Sequence, residues 1–336
     1  MATKKILLVG GAGFIGYNIA LKLSKNPDYE ILIIDSLSVN NFSTVIGDYT
    51  DIKKSNLSLK ILNNRFETFR LNSIKLSIID ARNYSELSNI FSIFKPNVVI
   101  QLAAVSHSNL SNKDPHSTFD NSFRTLENAL DNAKNRIDHF IYFSSSMIYG
   151  NFKKDKVDEN TEANPLGIYG ALKYSGEKIV IAYNQVFDLP YTIIRPSALY
   201  GRGCISRRVG QIFIENALLG KKIIINGDGE ETLDFTYIDD LVDGIEKIIE
   251  NKNSLNEIFN ITYGSSRPIN NLIKILQKDF PNIEIEHKIR DKLMPKRGTL
   301  SIEKAKKLLN YDPQWPLEKG YPDYIKWYKD IFKDFK

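Results

Sequence analysis

At 336 residues, 42% apolar and 25% charged, the chain is long enough to bury one large core or two modest ones. Its net charge of +5 comes from 45 basic and 40 acidic residues without a long basic run, which gives nucleic-acid binding no support but leaves room for a phosphate-bearing substrate. No apolar stretch approaches the roughly 18 residues of a membrane span, no cleavable signal fits before residue 4, and the single Cys204 suits a reducing cytoplasm. The histidines His107, His116, His139 and His287 show no metal-ligand spacing, so no metal is expected.

Residues 4–16 read KKILLVGGAGFIG. The apolar run 6–9 predicts a parallel strand buried on both faces. Gly10, Gly13 and Gly16 follow at three-residue spacing, and Ile15, Ile19, Leu21 and Leu23 continue in an amphipathic helix. A strand that turns at glycines into a helix N-terminus offers bare N–H groups to an anion and lets a diphosphate come close. The plain alternative is a tight turn that binds nothing. A second strand, 30–34, ends at Asp35, 19 residues beyond Gly16, close to the roughly 20 that place an acid on the ribose hydroxyls. A carboxylate there repels a 2′-phosphate, so NAD is expected rather than NADP.

The GxxGxxG spacing resembles the short-chain dehydrogenase/reductase superfamily, and the GGAGFIG wording resembles its extended branch of sugar-nucleotide epimerases and dehydratases. That resemblance implies cofactor contacts at Gly10, Gly13, Phe14, Ile15 and Gly16, a nucleoside diphosphate sugar as substrate, and a homodimer.

In 36–75 the helical spacing of Leu59, Leu62, Phe66 and Phe69 predicts one inserted helix, read as packing rather than function. A third strand, 76–79, ends at Asp80; the resemblance implies that Asp80 and Ala81 contact the adenine. The alternative is that Asp80 caps the next helix, 84–94. A fourth strand, 97–101, leads into Leu102-Ala103-Ala104, where small residues let backbone approach the cofactor; the stretch resembles a family HLAA motif with Gln101 in place of His. A helix over about 115–133 carries Asn121, matching a family asparagine that stabilises the central fold. Strand 139–143 delivers Ser144-Ser145-Ser146, helix 167–186 follows, and strand 191–195 closes with Pro196, a further expected cofactor contact. The alternation argues an α/β, doubly wound parallel Rossmann sheet with right-handed crossovers.

Beyond Ser197 the elements shorten: 209–219, 223–225, 239–250, 258–261 and 269–280. Residues 1–196, with a returning segment at about 236–262, are expected to form the NAD-binding Rossmann domain. Residues 197–235 and 263–336 are expected to form a smaller α/β substrate-binding domain. The tail around Trp315 and Trp327 reads as structural.

Tyr169 and Lys173 form YxxxK, a spacing that brings both side chains to one helix face. An ammonium beside the phenol lowers a pKa of about 10, making a general base for a substrate hydroxyl. The resemblance adds that Lys173 contacts the nicotinamide ribose. Within FSSSMIYG the resemblance, anchored on Tyr149 and Gly150, implies that Ser145, four residues before the tyrosine, carries the catalytic hydroxyl; Ser144 and Ser146 read as structural, with Ser146 also near the sugar. Met147 stands where dehydratases and decarboxylases carry Glu, and Ser146 where dTDP-glucose dehydratases place Asp. A thioether abstracts no proton, so the simplest remaining chemistry is reversible oxidation at C4 with hydride returned to the other face, a 4-epimerase. The alternatives are a 4,6-dehydratase or 4-keto reductase on the same scaffold, or a non-catalytic NAD-binding partner protein.

RPSALYGRG (195–203) resembles R-P-x-N-x-Y-G-P with Ala198 replacing Asn, and GDGEETLDFTYIDDLVDG (227–244) resembles GDGxQxRDFxYVxD with Leu233 replacing the diphosphate arginine. Arg207, Arg208 and Arg297 are the candidate replacements, since a guanidinium fork suits a diphosphate; the alternative is that they are solvated surface charges. The implied dimer uses the helices at 115–133 and 167–186, whose outward apolar candidates are Phe119, Phe123, Leu126, Ile179 and Tyr183. In a monomer most of these would serve the chain's own core.

Overall fold

The computed structural model describes residues 3–46, 51–105, 108–290 and 293–333; His107 lies outside them. Strands β1 (Lys4–Val9), β2 (Tyr29–Asp35), β3 (Lys75–Ile78), β4 (Val98–Gln101), β5 (His139–Phe143), β6 (Tyr191–Arg195) and β7 (Glu257–Asn260) form one sheet. Its order is β7-β6-β5-β4-β1-β2-β3, and every pairing in it is parallel. The chain order reverses between β1 and β4, the crevice where open α/β sheets bind ligands.

Alternation along the strands explains the layering. Ile6, Leu8, Ile33, Ile100 and Ile141 bury into one core, against helices Phe14–Leu23, Ile52–Leu71 and Ile238–Glu250. Leu7, Val9, Ile34, Val99 and Phe140 bury into the other, against Tyr84–Phe94, Thr125–Ala133 and Gly167–Phe187. A strand covered by helices on both faces has no solvated side, hence the unbroken apolar runs.

Among the described residues between β2 and β3 there are two helices, Phe42–Ile46 and Ile52–Leu71, rather than one. Helix Ile52–Leu71 starts where the Asp51 carboxylate accepts from Lys54 N. Asn83, not Asp80, caps Tyr84–Phe94, so the capping alternative for Asp80 is excluded. The expected helix over 115–133 divides into Pro115–Phe119, a wider π-type turn at Asp120–Arg124, and Thr125–Ala133. Asn121 donates back to Ser117 O at 2.8 Å. Four residues on, the Thr125 hydroxyl lies 3.3 Å from both Ala103 O and Gln101 Nε2 at the end of β4.

Past β6 the chain forms two-stranded pieces, Leu199–Tyr200 with Thr236–Tyr237, Ile223–Asn226 with Ile285–Lys288 and Thr232–Leu233 with Arg267–Pro268, and Thr299–Leu300 pairs back with Lys156–Val157 from before β6. Fully buried Asp234 joins them, accepting from Leu300 N at 3.0 Å, Gly264 N at 3.1 Å and the Thr262 hydroxyl at 3.1 Å. The tail helix Leu317–Phe332 packs Tyr321, Tyr324 and Tyr328 onto this part, with Tyr200, Tyr324 and Tyr328 in ring contact.

Candidate active site

Gly10, Gly13, Phe14, Ile15, Gly16, Asp35, Asp80, Ala81, Leu102, Ala103 and Ala104 all line one groove at the crevice. Gly10 has φ +74°, and a Cβ there would lie 2.5 Å from Ala103, so the loop and the end of β4 meet only through a glycine. At Gly13 the nearest atom to an added Cβ is 3.8 Å away. Gly13 also precedes helix Phe14–Leu23, whose N-terminus has no side-chain cap. The result is a cradle of open space and helix N–H groups, the chemistry a dinucleotide's diphosphate requires. Asp35 accepts from Ala12 N at 2.9 Å and Leu37 N at 2.8 Å, which fixes its carboxylate while leaving lone pairs for ribose hydroxyls. Asp80 is held by the Arg82 guanidinium at 2.6 Å, and that charge keeps its pKa below the usual carboxylate range.

Ser144, Ser145, Ser146, Met147, Tyr169, Lys173 and Pro196 line a second, larger cavity that shares Ile15, Leu102, Ala104 and Arg208 with the groove. Pro196 borders this cavity together with Tyr169 and Lys173, and its carbonyl accepts from Ser146 N at 2.9 Å. Helix Gly167–Phe187 runs close under β5: a Cβ at Gly176 would lie 2.2 Å from the Tyr142 hydroxyl. This approach brings Lys173 Nζ to 2.7 Å from Phe143 O. One turn on, Glu177 accepts from the Ser144 hydroxyl at 2.5 Å and pairs with Arg195 through both carboxylate oxygens, at 2.9 and 2.7 Å. Glu177 and Arg195 are residues the sequence reading missed; the signal was a Glu one further helical turn along the Tyr169–Lys173 face.

The electrostatics differ from the sequence expectation. Burial raises the Tyr169 phenol, and the groups that oppose this are the Ser145 hydroxyl and the Arg208 charge, not Lys173. Burial lowers Lys173 to about 8, with Glu177 acting the other way. The ammonium donates to the Phe143 carbonyl, 2.7 Å away, at the end of β5.

The far wall of the cavity carries Arg207, Arg208 and Arg297, together with Arg290, which the sequence reading did not single out. Arg290 pairs with Glu231, the one carboxylate among the described residues lining the cavity. Burial lowers the Arg297 guanidinium to about 10, with Glu231 attracting it and Arg290 and Arg208 repelling it. Its Nε has no hydrogen-bond partner among the described residues. Arg207 is exposed at its outer edge, with φ +54°. Ala198 and Leu233 also line the cavity, and Ala198 keeps φ +36°, a left-handed backbone that Asn tolerates better than Ala.

A profile of the NAD dependent epimerase/dehydratase family matches residues 6–262. The chain is 29% identical over 333 residues to an uncharacterized UDP-glucose epimerase, YtcB, of Bacillus subtilis strain 168, covering 98% of this chain and 99% of that one. It is 32% identical over 286 residues to the dTDP-D-glucose 4,6-dehydratase of Dictyostelium discoideum, covering 80% of this chain and 60% of the relative. The crystal structure of UDP-glucuronic acid 4-epimerase from Bacillus cereus, in complex with UDP-glucuronic acid and NAD, superposes with a TM-score of 0.87 at 29% identity, over 97% of this chain and 99% of that one. With the sheet order, the glycine cradle and this match in agreement, the chain belongs to the NAD dependent epimerase/dehydratase family.

Proposed function

We propose that the protein is an NAD-dependent 4-epimerase of a nucleoside diphosphate sugar. The observation that carries this reading over dehydration is the cavity's acid content. Its single carboxylate among the described lining residues, Glu231, is paired with Arg290, while Met147 and Ser146 occupy the places beside Ser145. Removal of a proton next to a 4-ketone needs an acid and a base there, and neither side chain is one.

Gly13, Phe14, Asp35 and Asp80 in the groove would hold NAD, which when bound would supply hydride acceptance and return at C4. Tyr169 takes the 4-hydroxyl proton and later restores it, Ser145 orients the reacting oxygen, and Lys173 holds positive charge beneath them. Arg297 with Arg208 or Arg207 faces the diphosphate, with Arg290 next to them. In this reading residues 1–196 and 236–262 carry the cofactor, and 197–235 with 263–336 carry the sugar nucleotide.

A homodimer fits the outer face of the helices at 115–133 and 167–187, where Phe119 is 49% and Ile168 38% exposed. Phe119 and Ile168 share a shallow hollow with Pro115 and Leu172. Leu126 does not belong to that face, because it points into the chain's own core, and Ile179 and Tyr183 pack half-buried against the same core. A lone buried Cys204 suits the cytoplasm.

The test is incubation of the NAD-loaded protein with UDP-glucose, UDP-glucuronic acid and UDP-N-acetylglucosamine, with NMR of the products. A C4 epimer is expected from at least one. A 4-keto-6-deoxy sugar or net consumption of NADH would replace the reading with dehydration or reduction. Light scattering at micromolar concentration giving a monomer mass would end the dimer.

A further inference from the structure

The helix Ile52–Leu71, read from sequence as packing, sends one side chain to the cofactor loop. Arg65 is 1% exposed, donating to Ala12 O at 2.6 Å and to Gly203 O at 2.7 Å. Among the described residues its Nε has no hydrogen-bond partner and no carboxylate reaches the guanidinium within salt-bridge distance. Burial lowers its pKa to about 10, with Cys204, Tyr17 and Asp35 acting the other way from a distance, so at neutral pH it remains a cation. A buried charge without a counter-ion is costly, and simple packing at this position would be served by an apolar side chain.

The carbonyl that Arg65 holds belongs to the peptide whose N–H is that of Gly13, the residue at the open end of helix Phe14–Leu23. A charged donor on a peptide oxygen polarises the N–H of the same peptide and strengthens the bond it gives to an anion. Asn41 also donates to Ala12 O, at 3.2 Å, but brings no charge. The second carbonyl, Gly203 O, lies just before Ile205, Ser206 and Arg208, which form another wall of the groove.

We infer that Arg65 is a positioning residue for the cofactor's diphosphate: its charge, transmitted through the Ala12–Gly13 peptide, awaits the phosphates as its counter-ion, and its second bond holds the 203–208 segment against the same groove. Arg65 lines neither the groove nor the larger cavity. It acts on the groove assigned above to NAD.

Calorimetric titration with ADP-ribose and with adenosine, on wild type, Arg65→Met, Arg65→Lys and Asn41→Ala, tests this. ADP-ribose carries the diphosphate and adenosine does not. Arg65→Met should bind ADP-ribose about ten- to a hundredfold more weakly, the scale of one charge interaction across a few ångströms of protein, with adenosine affinity unchanged. Arg65→Lys should recover most of the loss, and Asn41→Ala should lose little. Equal losses for adenosine and ADP-ribose would make Arg65 a purely structural residue and overturn the inference, as would unchanged ADP-ribose affinity in Arg65→Met. Should Arg65→Met fail to fold, Arg65→Gln, uncharged but still a donor, is measured against the same criteria. A wild-type protein that binds neither ligand would overturn the cofactor assignment of the groove itself.

Discussion

Replacing Glu177 with Ala leaves Arg195 buried and without its carboxylate. The side chains are 1% and 5% exposed, so water cannot take over the pairing, and the Ser144 hydroxyl loses its acceptor as well. Breaking one side of a buried pair costs about 3–5 kcal/mol. For 336 residues that corresponds to a fall in Tm of about 4–7 °C. Because Ser144 precedes Ser145, the proposed hydroxyl of the site, and Glu177 follows Lys173 by one turn, turnover should fall as well. Thermal unfolding monitored by circular dichroism, with a double-mutant cycle through Glu177→Ala, Arg195→Ala and the pair, reads the coupling. The double variant should lose less than the sum of the singles, since it leaves no orphaned charge. A Glu177→Ala Tm within about 1 °C of wild type, or additive single losses, would refute the account of the pair as a buried, mutually dependent unit.

Tyr169→Phe should lower turnover by on the order of 10²–10⁴-fold or more with the fold intact, and Ser145→Ala should cost more than Ser146→Ala; the reverse order would move the hydroxyl role by one residue. Lys173, lowered by burial to about 8, should give kcat/KM an alkaline limb: the ammonium is present below that pH and lost as pH rises through it, so activity falls on the alkaline side. The same shift gives stability the opposite sign, since between about 8 and its ordinary 10.5 the unfolded chain binds the proton more tightly and stability rises with pH. A flat kcat/KM profile from pH 7 to 10 would remove Lys173 from the mechanism. Arg297→Ala should raise KM for the sugar nucleotide by orders of magnitude, since a buried charge partner is worth roughly 3–5 kcal/mol, while NAD affinity stays unchanged; wild-type KM in Arg297→Ala, Arg207→Ala and Arg208→Ala alike would end the diphosphate assignment.

The local order of the chain dictates much of this protein without reference to the fold. The apolar runs of β1, β5 and β6 announce a parallel sheet because a strand buried on both faces has no room for alternation. The meeting of the glycines with Asp35 in one groove, and of Tyr169 with Lys173 in one cavity, was legible for a related reason: each is set by a single turn or a strand–turn–helix unit, so sequence distance maps directly onto geometry. The break in the helix at 115–133 was not legible, because no Gly or Pro within 116–133 marks its π-type turn at Asp120–Arg124. Only tertiary structure decided which charges serve the site. Arg195 pairs with Glu177 across 18 residues, Arg290 with Glu231 across 59, and Arg65 reaches Ala12 across 53 and Gly203 across 138. A charged side chain in a sequence looks the same whether solvated or buried. Its role is set by what the fold packs around it and by the cost of leaving that charge unpaired.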